Sequence, residues 1–211
     1  MPMKNVSATA PNRTPDWCSL RGRGGLVMAA AWLALVAVAV VGRIWRPEWN
    51  GTPLWNVTPL AAVALAAGAL FPQRAVAASV PLAALAIGNL VEPEYGSLPM
   101  AAVVYAASAW PALLGRLVNR RRWAAVLGGA AATAVVFFLT TNLAHWAFVG
   151  GYPRTAAGLG ECFLAALPFF RPLGDICWTA VLFAGILTIA AIDESLARRW
   201  HAAPVAARRG R

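Results

Sequence analysis

The feature that most constrains this chain is a series of long apolar blocks separated by short polar segments. Hydrophobic residues make up 60% of the chain and charged residues only 12%, which is about half the charged fraction of a typical soluble domain. A block of about 20 apolar residues matches the hydrocarbon thickness of a bilayer. No polar stretch is long enough to make a separate soluble fold. The sequence therefore predicts an all-α, polytopic membrane helical bundle.

Six apolar segments are predicted to cross the membrane. They lie at about residues 25–42, 53–71, 75–91, 98–117, 123–149 and 174–192. The first could instead be a cleaved signal peptide, although no A-x-A site closes its apolar run. The second could be a re-entrant segment, because its apolar run is short; Thr58 is predicted to cap this helix and Pro59 to be its first residue.

The polar parts complete the predicted domain organisation. Residues 1–24 are expected to be a disordered cytoplasmic tail, residues 25–192 a six-helix membrane domain, and residues 193–211 a basic cytoplasmic tail. Residues 161–170 are apolar but too short to cross. They are predicted to be a non-spanning segment on the outer side.

The placement of charge predicts the topology. The net charge of +10 could suggest a nucleic-acid partner, but the basic residues sit in short clusters between apolar blocks and in the two tails. With both termini inside, the positive-inside rule is satisfied by the tails, Arg74, Arg116 and Arg120–Arg122. Arg43, Arg46, Arg154 and Arg171 are left outside. We expect a multi-pass protein of a bacterial cytoplasmic membrane whose partner is the lipid bilayer and not nucleic acid.

Polar residues gather at the predicted outer ends of the helices. Such groups are costly at membrane depth unless they line a cavity or pair with one another. We predict a ligand pocket open to the outside; the alternative is that these residues contact lipid headgroups. The candidate residues are Asn56, Thr58, Asn89, Asn142, His145, Tyr152, Glu161 and Asp175.

Small residues indicate where helices can approach closely. Ala30 and Ala34 form a small-xxx-small pair in the first span, and Gly68 lies in the second. Ala30 and Ala34 could form a docking face for another membrane protein, or they could serve packing within the bundle.

Motifs for catalysis are missing from the sequence. It contains no Walker A, GxSxG or HExxH pattern, no paired acids inside a span, and no cysteine spacing typical of a metal site. We therefore expect no enzyme activity, no cofactor and no metal.

The segment from Asn56 to Ala69, NVTPLAAVALAAGA, resembles the signature of an uncharacterised bacterial integral membrane protein family, roughly N-[FV]-[ST]-P-x-x-A-x-A-L-x-x-G-A. The resemblance covers about residues 40–190. Asn89 departs from it, because the family pattern has an acid there. Further matches are Val80–Leu82, Phe137–Phe138, Thr141–Asn142, Trp146, Tyr152, Gly158–Leu159, Ala166–Phe170 and Asp175.

That family in turn resembles the S components of energy-coupling-factor (ECF) transporters. The resemblance implies six helices with cytoplasmic ends, an outward-facing pocket, and an alanine face on the first helix that docks a transmembrane coupling subunit driven by ATPases. The leading hypothesis is thus a substrate-binding subunit for uptake of a small molecule such as a vitamin or its precursor. The alternative is a non-transport membrane scaffold or assembly protein.

Overall fold

The computed structural model describes residues 24–45, 48–54, 57–91, 95–118 and 123–208. Except for Gly24, the predicted amino-terminal tail lies outside the described residues, and so does the candidate residue Asn56.

Four long apolar helices form the frame of the molecule. They are α1 (Gly25–Ile44), α3 (Arg74–Val91), α6 (Trp123–Phe148) and α8 (Pro172–Arg208). Within the described parts of the chain, these four are the helices long and apolar enough to cross a membrane, with Pro172–Ser195 as the apolar part of α8. The predicted all-α bundle is confirmed, with these four helices of membrane-spanning length and composition. The limits of α3 and α6 agree with the predicted spans to within one residue.

A short helix, α2 (Leu60–Leu70), lies at the centre of the bundle. It packs against α1, α3, α6 and α8, and residues 62–70 are all buried. Alanine fills most of its surface, so the neighbouring helices can approach it from every side. A helix with no polar face and contacts all round is expected in the interior of a membrane bundle.

The start of α2 differs from the prediction in two ways. The chain is not helical from Pro53, because Thr52–Pro53 pairs with Glu48–Trp49 in a two-residue antiparallel hairpin. The prediction that Thr58 caps α2 is wrong: Pro59 holds the cap position and makes no side-chain capping hydrogen bond. Since the helix begins at Leu60, Thr58 lies one residue too early to reach the free N–H groups of the first turn.

The remaining helices are short. They are α4 (Leu98–Ala109), α5 (Pro111–Leu114) and α7 (Ala156–Ala166), and a 3-10 turn at Leu167–Phe169 follows α7. Ser97 begins α4 by accepting a hydrogen bond from the Met100 backbone N–H at 3.3 Å. Pro111 lacks the N–H that would continue the helix, so α4 ends at Ala109 and α5 starts anew.

Glycine sets the distance between α2 and α5. A Cβ atom placed on Gly68 would overlap the carbonyl oxygen of Ala112, and one placed on Gly115 would overlap that of Leu65. The two backbones are therefore in direct contact, which is the role expected for Gly68 from the sequence.

Candidate functional site

A cavity of ≈ 520 Å³ opens at the end of the bundle where α1 ends and α2 begins. Its wall includes Thr58, Leu60 and Ala61 at the start of α2. An 11-residue helix is about 16 Å long, which is roughly half the hydrocarbon thickness of a bilayer. The cavity borders the start of this short helix and continues along α4 and α6, where Ser108 and Thr133 line it. Its volume is typical of a small-molecule pocket.

One wall of the cavity is aromatic. Phe137 and Phe138 of α6 line it together with Phe169 and Phe170. The ring centroid of Phe138 lies 4.7 Å from that of Phe170 and 5.7 Å from that of Phe163 on α7. These rings fix α7 and the following turn against α6, so the wall is built from packed side chains.

A buried arginine contributes positive charge to the cavity. Arg43, one residue before the end of α1, lines the cavity and is only 9% exposed. An arginine near the end of a span commonly extends toward water, but this one turns into the bundle. Gly88 of α3 leaves the room for it, because a Cβ there would come within 2.8 Å of the Arg43 Cδ and Nε atoms.

A chain of hydrogen bonds holds the Arg43 guanidinium in place. Its Nη2 donates to Asn89 Oδ1 at 3.0 Å, and Asn89 Nδ2 donates to the Tyr105 hydroxyl at 2.9 Å. The Tyr105 ring meets the Tyr95 ring edge-on at 6.2 Å, and Tyr95 lines the cavity. This network joins α1, α3 and α4 around the charged group.

Further polar groups come from α6 and α8. Asp175, in the first turn of α8, is half-buried and lines the cavity together with the exposed Arg171. Thr141 and Asn142 of α6 also line it. The Asn142 amide Nδ2 donates to the Phe138 carbonyl at 2.7 Å, which fixes its orientation on the helix.

Ser108 of α4 lines the cavity with an unsatisfied hydroxyl. It is 2% exposed, and its Oγ has no hydrogen-bond partner among the described residues. Nearby in the wall, the Thr133 hydroxyl donates to the Gly129 carbonyl at 2.8 Å and so is satisfied. A buried hydroxyl without a partner costs free energy, and this one borders space that a ligand could fill.

The structure gathers some of the predicted site residues and separates others. Thr58, Asn142 and Asp175 line the same cavity, although they come from three distant parts of the sequence. Asn89 lies behind the wall and holds Arg43.

The other predicted site residues lie outside the cavity lining. His145 and Tyr152 contact each other, with ring centroids 6.4 Å apart. Glu161 is exposed on α7. Ala30 and Ala34 are exposed on α1, so in the isolated chain they are not used for packing within the bundle.

Several lining residues were missed by the sequence reasoning. Arg43 and Arg171 were counted only as charges on the outer side, and Ser108 was not among the candidate residues. One feature of the sequence could have singled out Arg43. It is followed by the apolar residues Ile44 and Trp45, so the arginine lies within the apolar run and does not mark its end.

The arrangement has the general character of a small-molecule site. Apolar and aromatic walls with a few convergent polar groups are what small-molecule sites have in common. Across the described residues there is no group of three His, Cys, Asp or Glu side chains placed to hold a metal ion.

The fold and the cavity define the class: an all-helical protein with four described helices long and apolar enough to cross a membrane, whose bundle encloses a cavity of small-molecule size. Within that class, the chain belongs to a family of unknown function, DUF6580, whose model matches residues 26–196. Comparison with curated proteins and with solved structures gave no match.

Proposed function

We propose that this protein is a substrate-binding membrane subunit for uptake of a small molecule, of the kind formed by the S components of ECF transporters. The observation that carries the proposal is the ≈ 520 Å³ cavity at one end of the bundle, with an aromatic wall and a fixed Arg43. A pocket near the end of a helical bundle can capture a molecule from one side of the membrane but supplies no energy for its transport.

The topology belongs to the proposal as well. Both termini lie in the cytoplasm and the cavity faces outward, with α2 and the α4–α5 pair as two short crossings inside the frame of long helices. The burial of α2 against four long helices supports this arrangement. Fusions of alkaline phosphatase and of green fluorescent protein after residue 152 and at the carboxyl end test it. Phosphatase activity is expected only at the first position and fluorescence only at the second; the reverse pattern would contradict it.

An energy-supplying partner is also proposed. Ala30 and Ala34 on α1 present small exposed side chains, on which a transmembrane coupling subunit with its ATPases would dock. Close approach of helix backbones over small residues favours association in membranes.

The test is purification of the tagged full chain from its host in mild detergent, with mass spectrometry of the small molecules and proteins recovered. One metabolite in near-equal amount is expected. The variant Asn142→Leu should lose it, because Asn142 lines the cavity, and His145→Leu should retain it, because His145 does not. These two residues lie on the same helix, so they make a matched pair.

The partner is tested in the same purification. A double variant with Ala30→Leu and Ala34→Leu should lower recovery of the coupling subunit and ATPases, and Ala184→Leu, at an exposed position of α8, should not. A folded, monodisperse sample with neither metabolite nor coupling subunit would contradict the proposal. Recovery of a different membrane complex would support the scaffold alternative, for which the exposed alanine face would be the interface.

A further inference from the structure

The chemical class of the ligand follows from how charge and apolar surface are distributed in the cavity. The described part of the wall carries two arginines, Arg43 and Arg171, and one carboxylate, Asp175. A charged side chain that faces the interior of a membrane bundle commonly marks the path or the binding site of a ligand. A guanidinium that lines the cavity can pair with an anionic group of a ligand.

The guanidinium of Arg43 is placed before any ligand arrives. Asn89 accepts its hydrogen bond, Tyr105 fixes Asn89 in turn, and Gly88 leaves space for the arginine stem. Fixing a side chain in its binding orientation lowers the entropy cost of binding. A planar guanidinium held in this way matches a carboxylate group in shape and charge.

The identity of residue 89 bears on the same point. Asn89 is a neutral partner for Arg43, whereas an acid at this position would add a negative charge within hydrogen-bond distance of the guanidinium. An asparagine orients the arginine as an acid would, without adding a negative charge of its own.

The rest of the cavity has to accommodate the body of the ligand. Lining residues on α4 and α5 run from Met100 to Pro111, a distance of about 16 Å along the helix. Phe137, Phe138 and Phe170 provide apolar surface, and the buried Ser108 Oγ has no partner among the described residues. A ligand with an apolar body and a second polar group would satisfy that hydroxyl.

We propose that the cavity binds an organic carboxylate with an apolar body, its acid group paired with Arg43, its body against the phenylalanine wall, and a polar group at Ser108. This inference rests on the proposed function and adds the ligand class to it. Such a ligand could be a water-soluble aromatic acid or a fatty acid taken from the membrane, since both have the same chemistry.

The inference is tested with matched pairs of probes on the purified full chain. The probes are arylalkanoic acids from phenylacetate to 5-phenylpentanoate, each with its primary amide, and dodecanoate with dodecanamide. Binding is measured by ligand-observed NMR in detergent. We expect at least one acid to bind roughly tenfold or more tighter than its amide, because a charge-assisted pair replaces a neutral hydrogen bond. Preference for arylalkanoates would indicate a water-soluble source, and preference for dodecanoate a membrane source.

Two variants locate the acid group. Arg43→Gln should remove the preference of the protein for acids over amides. Asn89→Asp keeps the size and the hydrogen-bond acceptor of residue 89 and adds a negative charge, so it should weaken acid binding and leave amide binding unchanged. If Arg43→Gln does not fold, Asn89→Asp still tests whether the acid group of the ligand pairs with Arg43. Arg154→Gln, at an exposed arginine outside the cavity lining, should change neither the binding of acids nor the binding of amides.

Three outcomes would overturn the inference: amides that bind as well as acids, an acid preference that survives Asn89→Asp in the folded protein, or no binding of any probe. None of these would contradict the proposed function by itself. That function depends on recovery of a metabolite and a coupling subunit, and recovery of an uncharged or cationic metabolite would leave it standing while it overturned the carboxylate assignment.

Discussion

Arg43 and Asn89 join the ends of α1 and α3 through a 3.0 Å hydrogen bond inside the bundle. The bond links residues 46 positions apart in the chain and orients a buried positive charge toward the cavity. Asn89→Leu would remove an acceptor from a buried guanidinium, so we expect it to lower the free energy of unfolding by about 1–3 kcal/mol. Thermal unfolding in detergent measures the change. Leu90→Ala, at the exposed neighbouring position, should have almost no effect; an equal loss in both variants would contradict the assignment.

Close contact of α2 with α5 makes Gly68 intolerant of any side chain. Because a Cβ there would overlap the Ala112 carbonyl oxygen, Gly68→Ala should destabilise the protein by about 2 kcal/mol or more. A methyl group added at Gly128 of α6 would meet nothing within 4 Å, so Gly128→Ala should be neutral or stabilise by up to about 1 kcal/mol through helix propensity. Melting temperatures that do not separate the two variants would show that the helices are not in contact as described.

Ser108 and Ser79 differ in whether their hydroxyl groups have a hydrogen-bond partner among the described residues. The Ser79 hydroxyl accepts a hydrogen bond from Trp32 Nε1 at 2.9 Å, whereas Ser108 Oγ has no partner among the described residues. We expect Ser79→Ala to cost about 1–3 kcal/mol, and Ser108→Ala to leave the ligand-free protein as stable as before or slightly more stable. Unfolding curves of the ligand-free protein test this. A marked loss of stability on Ser108→Ala would mean that the hydroxyl is already satisfied.

Phe138 attaches α7 and the following turn to α6 through its contacts with Phe163 and Phe170. Phe138→Ala should cost about 1–3 kcal/mol, less than the loss of a fully buried ring, because the side chain is half-buried. We also expect faster trypsin cleavage after Arg154, which precedes α7. Leu139→Ala removes a neighbouring side chain that is 48% exposed and should leave the cleavage rate unchanged; equal acceleration in both would count against the contact.

The sequence predicts the frame of the bundle well, because an apolar block of span length has few alternatives. The limits of α3 and α6 follow directly from where the apolar residues start and stop. The interior of the bundle is harder to predict. An apolar run of alanine and leucine does not identify α2 as the central helix. When every face of a helix is buried, the sequence loses the periodic spacing of apolar residues that would mark a single buried face.

The candidate site was predictable only in part, for a related reason. Thr58, Asn142 and Asp175 could be placed at one end of the bundle because the predicted topology fixes the end at which each helix terminates. Which way a side chain at that end points depends on the rotation of the helix, and topology does not fix rotation. Arg43 is buried and Glu161 exposed, although the predicted topology places both on the outer side.

The burial of α2 frees its length from the thickness of a bilayer. Residues 62–70 are all buried, and α2 packs against α1, α3, α6 and α8. Hydrophobic mismatch constrains a helix whose surface contacts lipid, and non-helical backbone at membrane depth is tolerated where it is enclosed by protein or lines a cavity. A central helix of 11 residues can therefore end well short of a full crossing, because the longer helices around it supply the surface that matches the lipid.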